Sequence, residues 1–268
     1  MTGQSLFWVN FSDPLYFVDS TTTPMVTVMA GLGGTGFRMG AADDSVGPGN
    51  GPAPIPVGAM PNPGGDQRMG IIDRVAEMEW GFYDAIDTSS GWTPDLAATL
   101  DLSGSGVRPP ERDNPWWAGH GPRACGFGII NGLIRTEEVQ AGSIEHALVI
   151  AYPHIRSRYY TAPASTAQAT TPLVSPTVGI LCGGHIQLDP TLDVTTLGLN
   201  PAALAIARAL QKYGAFIGDY SGATALYADS SPSAMTYWKG VLGNLDAQGI
   251  PLNRFRVLQI GTTYDNGN

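Results

Sequence analysis

The stretch MGIIDRVAEMEWGFYDAI, residues 69–86, reads as two β-strands that turn back on each other near Asp73 and Arg74. Apolar, branched and aromatic residues fill both arms, and the break between them is short and charged, which is the signature of a hairpin. Side chains alternate across a strand, so Met78, Trp80, Phe82 and Asp84 fall on one face and Glu77, Glu79, Gly81 and Tyr83 on the other. Trp80 and Phe82 then face a core. The Glu77/Glu79 face admits two readings. One is the carboxylate floor of a sugar cleft, since glycoside hydrolysis uses paired carboxyl groups. The other is a row turned to solvent, where acidic side chains ordinarily stand, and this is the simpler expectation.

Upstream, FWVNF and LYFVD are strands divided at Asp13-Pro14, and MVTVMA is a third beyond the TTTP turn. Residues 31–65 are rich in Gly, Pro, Ala, Asn and Asp, a composition that propagates neither a helix nor a central strand. They are expected as an irregular arm over the surface, with polyproline character around Pro52 to Pro56. Downstream come the strand LAATLDLSG, a loop-like block over Gly104 to Gly128, a helical or bent turn at TEEVQAG and the strand IEHALVIAY. Further strands are expected at TVGILCG, HIQLD, AFIGDY, ATALYAD and RVLQIG.

Two helices interrupt this pattern. In NPAALAIARALQKYG, Asn200 is the N-cap, Pro201 the first helical residue and Gly214 the stop. Ala203, Ile206, Ala207, Leu210 and Tyr213 share one face at helical spacing and belong to the core. In SPSAMTYWKGVLGNLDAQG, Ser231 and Pro232 start a helix that Gly249 and Pro251 end. Strands precede, separate and follow these helices without strict alternation. The fold class is therefore all-β, a β-sandwich or jelly roll with two accessory α-helices and an irregular Gly/Pro-rich N-terminal arm. A single domain is expected over residues 1–268, with the first strands and the arm in 1–65 and the main body in 66–268.

Composition agrees. The 35 Gly and 21 Pro exceed ordinary usage and only 14% of residues are charged, as suits many short strands joined by tight turns. A net charge of -9 with 14 Lys and Arg argues against nucleic acid and anionic membrane surfaces as partners, because phosphate-backbone affinity comes from cations. The chain has no apolar run of about 18 residues that would make a spanning helix. MTGQSLFWVNFSDPLYFV lacks the basic start, apolar stretch and cleavage site of a signal peptide, so it reads as a mature chain behind an initiator Met or as one never exported. Scarce Lys, abundant small polar residues and the acceptor triplet Asn10-Phe11-Ser12 point to secretion. Cys125 and Cys182 either pair in an oxidising compartment or stay as buried thiols.

Chemistry-bearing residues concentrate between His146 and Tyr160. His146, Leu148, Ile150 and Tyr152 share a strand face, so the histidine is either a satisfied core residue or a base. The following run YPHIRSRYYTAPAS carries His154, Arg156, Arg158, Tyr159 and Tyr160. Arg neutralises a carboxylate, Tyr exchanges a proton and His acts as base, which are the parts of a β-elimination site, although the same row also reads as cross-strand packing. Asp219 ends a strand beside a Ser-Gly turn, a place for a reactive carboxylate or for a turn cap. Trp116 and Trp117, in a Pro- and Gly-containing loop, offer flat faces to pyranose rings or plug the core. GLGGTGF, residues 31–37, has neither the Lys nor the strand and helix context of a phosphate loop. The four histidines never fall at metal-ligand helical spacing, so a metal would need a site assembled from distant strands, and no GxSxG elbow occurs; no cofactor and no metal are expected.

Three segments, PIPVGAMPNPGGDQRMGIID, GLIRTEEVQAGSIEHALVIAYP and ALQKYGAFIGDYSG, together resemble a family of largely uncharacterised bacterial secreted proteins. That family carries a "GLIR…E…G.I.HAL" block and closes on "AL..YG…..D..G". The likeness runs from about Pro54 to Gly222 in the right order. It implies a β-sandwich found beside carbohydrate-active genes and marks Arg135, Glu138, His146, Tyr213 and Asp219 by position. Gln67-Arg68 stands where the family pattern has Gly-His, so the role of that histidine is missing or moved here.

Two functions follow as expectations. The first is an extracellular carbohydrate-active enzyme, a polysaccharide lyase or glycoside hydrolase working on a polysaccharide or oligosaccharide in a surface groove. In it His146 acts as base, Asp219 or Glu138 orients it, Tyr213 completes the catalytic set, and Arg135, Arg158, Tyr160, Trp116 and Trp117 hold substrate. The second is a non-enzymatic glycan-binding or self-assembling surface or fibre protein. It forms a homo-oligomer through the N-terminal arm or adds the strand FWVNF to another sheet edge.

Overall fold

A computed structural model of the chain describes residues 7–29, 37–38, 51–108, 110, 120–168, 174–258 and 261–266. The fold is all-β, with short strands in mixed sheets and helices confined to a few turns. It divides into two compact units. One is formed by Ser12–Asn131 with Pro163–Thr166, the other by Gly132–Ala162 and Ala167–Asn268 with the residues up to Phe11. Strand β1 (Trp8–Asp13) begins in the second of these.

The Ser12–Asn131 unit carries β2 (Leu15–Val18), β3 (Val26–Val28), β4 (Phe37–Arg38), β5 (Gly51–Ala53), β6 (Met69–Asp73), β7 (Met78–Tyr83), β8 (Ile86–Thr88), β9 (Gly91–Thr93) and β10 (Leu96–Asp101). They form a sheet in the order β2-β6-β7-β10-β4 and a second in the order β5-β3-β9-β8. The hairpin over residues 69–86 forms as expected and β10 continues it antiparallel. Ile71 lies opposite Trp80 and Met69 opposite Phe82, and cross-strand partners share a face. That face meets Val28, Ala53 and Trp92 of the second sheet in one buried cluster, giving a sandwich.

Two expectations are corrected here. Gly51–Ala53, assigned by composition to an irregular arm with polyproline character, is a strand in which Ala53 pairs with Val26 and Pro52 with Thr27. Pro52 is tolerated because β5 is an edge strand, where a missing N–H breaks no interior ladder. The remainder of the expected arm at residues 31–36 and 39–50 lies outside the described residues. The Glu77/Glu79 face is not a solvent row either, since Glu79 is 1% exposed. The segment following His120 covers it. Gly70 and Gly81 sit directly opposite each other, and a Cβ there would stand 3.0 Å from Ile129 and 2.8 Å from Pro122 respectively, so the missing side chains admit the covering segment. The Glu79 carboxylate pins that segment by accepting the backbone N–H groups of Ile129 (2.5 Å) and Ile130 (3.1 Å). Nearby, Arg123 donates to Asp13 at 2.6 Å and to the carbonyl of Ile129 at 2.9 Å, and Arg68 also pairs with Asp13.

The other unit contains β11 (Leu148–Ala151), β12 (Ile155–Tyr160), β13 (Ile180–Cys182), β14 (His185–Leu188), β15 (Ala215–Asp219), β16 (Ala225–Asp229), β17 (Phe255–Val257) and β18 (Tyr264–Asp265). Its helices are α1 (Thr136–Ala141), α2 (Pro201–Lys212) and α3 (Pro232–Trp238). The main sheet runs β1-β16-β11-β15-β14-β17 and a smaller one β13-β12-β18. Interior β11 has all four residues buried, which suits its unbroken apolar run LVIA. It starts only at Leu148, so His146 precedes the strand that was expected to contain it.

Helix α2 forms between the expected signals. Asn200 Oδ1 accepts the N–H of Ala203 at 2.8 Å, and Gly214 follows the helix at a φ of 72°. Its buried alanines, Ile206 and Leu210 make up the face that lies toward the sheet, where α2 packs on β14. Helix α3 is shorter than expected. It ends at Trp238 because Gly240 takes a left-handed φ of 76°, and a 3₁₀ turn at Asp246–Gly249 replaces its second half. The TEEVQAG turn is a true short helix, α1. Cys125 and Cys182 are both disulfide-bonded. Among the described residues no helix is long and apolar enough to cross a membrane.

Candidate functional site

The chain enters α1 through Arg135, which holds extended backbone angles at the N-cap, and Glu138 at the third helical position reaches back to accept its N–H at 3.1 Å. This capping-box contact fixes the Glu138 carboxylate over the helix start. Gly142, with a φ of 73°, then ends the helix and turns the chain back. The return brings His146 onto the same carboxylate: Nε2 stands 2.8 Å from Glu138 Oε1, and the Arg135 guanidinium reaches that oxygen at 2.6 Å. The Glu138 side chain is 10% exposed, while those of Arg135 and His146 are 29% and 31% exposed. The cluster is thus a buried anion beneath two accessible cationic groups. Arg135 also lies 3.4 Å from exposed Glu137.

The second nitrogen of His146 is equally committed. Nδ1 lies 2.9 Å from the carbonyl oxygen of Ala147. A carbonyl and a carboxylate only accept, so this setting favours the protonated ring, in which both nitrogens donate. Burial alone lowers the affinity of His146 for its proton, but the bonds to Glu138 and Ala147 outweigh this and raise its pKa above the ordinary histidine value. For Glu138 burial opposes ionisation, and the contacts with His146 and Arg135 overcome it, so its pKa is lowered. Arg135 is raised, with the Glu138 bond and charge prevailing over burial.

The other residues singled out in the sequence lie elsewhere. Leu148 pairs with Ala215 and Ala151 with Asp219 in the parallel β11–β15 ladder, so Asp219 stands at its far end from His146, roughly 10 Å along the strand. There it is buried and caps its own turn, accepting the Tyr227 hydroxyl and the Tyr220 N–H, both at 2.9 Å. Tyr213 sits just before Gly214, whose carbonyl accepts the Leu148 N–H. It therefore shares His146's end of the sheet, but among the described residues it makes no hydrogen bond to the cluster. The Arg158 guanidinium is taken by Asp265 at 2.6 and 2.7 Å, and its backbone φ is 70°. Tyr160 is wholly buried against Tyr264, ring centroids 5.1 Å apart. Trp116 and Trp117 lie outside the described residues. Arg135, Glu138 and His146 are the ones brought together.

Sequence reasoning passed over Lys239, Asn244 and Asp246, which line a surface pocket with Phe11 and Trp238. Reading residues 231–249 as one helix hid this turn, and the glycines of KGVLGN were the available signal. Among the described residues no group of three or more His, Cys, Asp or Glu is placed to hold a metal ion. Compared with models of protein families, with curated proteins and with solved structures, the chain has no match.

Proposed function

We propose that the protein is an extracellular carbohydrate-active protein that works on a polysaccharide or oligosaccharide at the Arg135–Glu138–His146 cluster. One observation carries this reading: a partly exposed imidazole 2.8 Å from a carboxylate that a guanidinium also holds. This stores a proton at an accessible ring, which acid-assisted cleavage of a glycosidic bond draws on. His146 protonates the leaving oxygen as its bond to the sugar carbon breaks, and water supplies the new hydroxyl. Exposed Glu137 serves as the second carboxylate that hydrolysis uses. β-Elimination fits less well, because a base must start without its proton and the two acceptors around the ring raise its proton affinity. The disulfide-bonded cysteines support an oxidising, extracellular setting.

Glycan binding without turnover is the second reading, favoured by the same full engagement of the His146 ring. Self-assembly by strand addition is less supported. The Val9 N–H and carbonyl of β1 are already taken by the Asn244 carbonyl and side-chain amide, at 3.0 and 2.8 Å. The two glycan readings separate in a screen of the purified chain against neutral and uronic polysaccharides, following new reducing ends and the ultraviolet absorbance of unsaturated products. Reducing ends that vanish in His146→Ala, with circular dichroism unchanged, support hydrolysis. Binding without products supports the second reading.

A further inference from the structure

After α3 the chain folds back through Gly240 and Gly243, and this turn forms a surface pocket of about 470 Å3 with Phe11 of β1. Phe11, Met235, Trp238 and Leu242 provide an apolar wall, and the Phe11 and Trp238 rings lie 5.8 Å apart at 47°. Trp238 is 3% exposed and its indole nitrogen is spent on the Asp229 carbonyl at 2.7 Å, so its ring backs Phe11 and leaves Phe11 as the aromatic surface of the pocket. Three polar residues complete the lining: Lys239, Asn244 and Asp246. Each keeps an uncommitted group. Asp246 Oδ2 accepts the Asn200 amide (2.6 Å) and the Gly243 N–H (2.8 Å), and Asn244 spends its amide nitrogen on Val9. Asp246 Oδ1, Asn244 Oδ1 and Lys239 Nζ have no hydrogen-bond partner among the described residues.

A pocket with one aromatic wall, two free acceptors and one free cationic donor matches a molecule with an apolar face and a hydroxylated edge. An alkyl chain would leave the acceptors unused, and a phosphate would meet two of them at close range. We infer that the Phe11–Trp238 pocket is a sugar-binding subsite, which seats one ring of a neutral glycan. The ring's C–H face lies on Phe11, which Trp238 backs, its hydroxyls donate to Asn244 and Asp246, and one hydroxyl accepts from Lys239. This deepens the carbohydrate reading and rests on it. Helix α1, which carries Glu138, packs on α3, which carries Met235 and Trp238. Neighbouring helices thus bear the subsite and the polar cluster.

The test titrates the full disulfide-bonded chain with short neutral oligosaccharides, following amide shifts together with Kd. Shifts at Gly240, Gly243 and Asn244 are expected, with Kd weakened about tenfold in Phe11→Leu. Lys239→Ala weakens it less. Oligosaccharides that bind without moving these amides, and equally tightly to Phe11→Leu, overturn the subsite and leave the carbohydrate reading standing. If no oligosaccharide shifts any amide, while indole used as an apolar probe shifts the pocket, the subsite is overturned as well. Turnover of polysaccharide by the wild type would still decide the fate of the wider reading separately.

Discussion

His146 Nε2 and Glu138 Oε1 stand 2.8 Å apart, and Arg135 holds the same oxygen from its other side. The pKa of His146 is raised, so its contribution to stability is complete below the free imidazole value and is lost as pH rises through the folded one. That of Glu138 is lowered, so its contribution is present above the free carboxyl value and is lost as pH falls through the folded one. The pair therefore stabilises most in the window between. Urea midpoints of the wild type and His146→Gln should differ more at about pH 6 than at about pH 9. An equal difference at both would contradict the shift.

Glu79 ties the 120–131 segment to the sheet through two backbone N–H groups. Glu79→Gln places an amide donor where one of these needs an acceptor, and should cost about 1–3 kcal/mol in urea unfolding. Amide exchange at Ile129 and Ile130 should rise beyond that at Ile71 across the same sheet. Loss of stability with those two amides still protected would show that another contact pins the segment.

Asp13 and Arg123 form an ion pair with both side chains wholly buried. Arg123→Met leaves Asp13 with Arg68 and the Ser12 hydroxyl, and removing one partner of a buried pair costs about 3–5 kcal/mol. Adding Asp13→Asn should cost less than it does in the wild type, because the Asp13–Arg123 pair it would break is already gone. A double variant as unstable as the sum of the single ones would mean that the two residues are not coupled.

At Gly214 the φ of 72° is one that side chains disfavour, and a Cβ would stand 2.3 Å from the Ile186 carbonyl oxygen. Gly214→Ala should destabilise the chain by more than ~1 kcal/mol in thermal or urea unfolding. A neutral result would place the helix end elsewhere.

What could be read from the chain followed from local chemistry. The alternation over Met78–Tyr83 put Trp80 and Phe82 in the core, and Asn200, Pro201 and Gly214 bounded α2 because caps act within one turn. What could not be read depended on distant segments. Glu79 is buried by residues some fifty positions later, and its only local trace was the Gly70–Gly81 pair. Gly51–Ala53 became a strand because β3 supplies an edge, despite Pro52. At the site, Glu138 and His146 are near in sequence and joined by one turn, so their meeting was legible. Asp219 was misjudged as their neighbour because strand direction, not sequence, decides which end of β15 faces His146.

The most direct test of the carbohydrate reading is the rate of new reducing ends from a polysaccharide panel, compared between wild type, Glu138→Gln and His146→Ala at equal fold content. Cleavage by the wild type, falling as pH rises through the raised His146 value and lost by about a hundredfold or more in His146→Ala, is the expected result. Cleavage that survives His146→Ala, or no cleavage and no binding by the wild type on any polysaccharide, would contradict it.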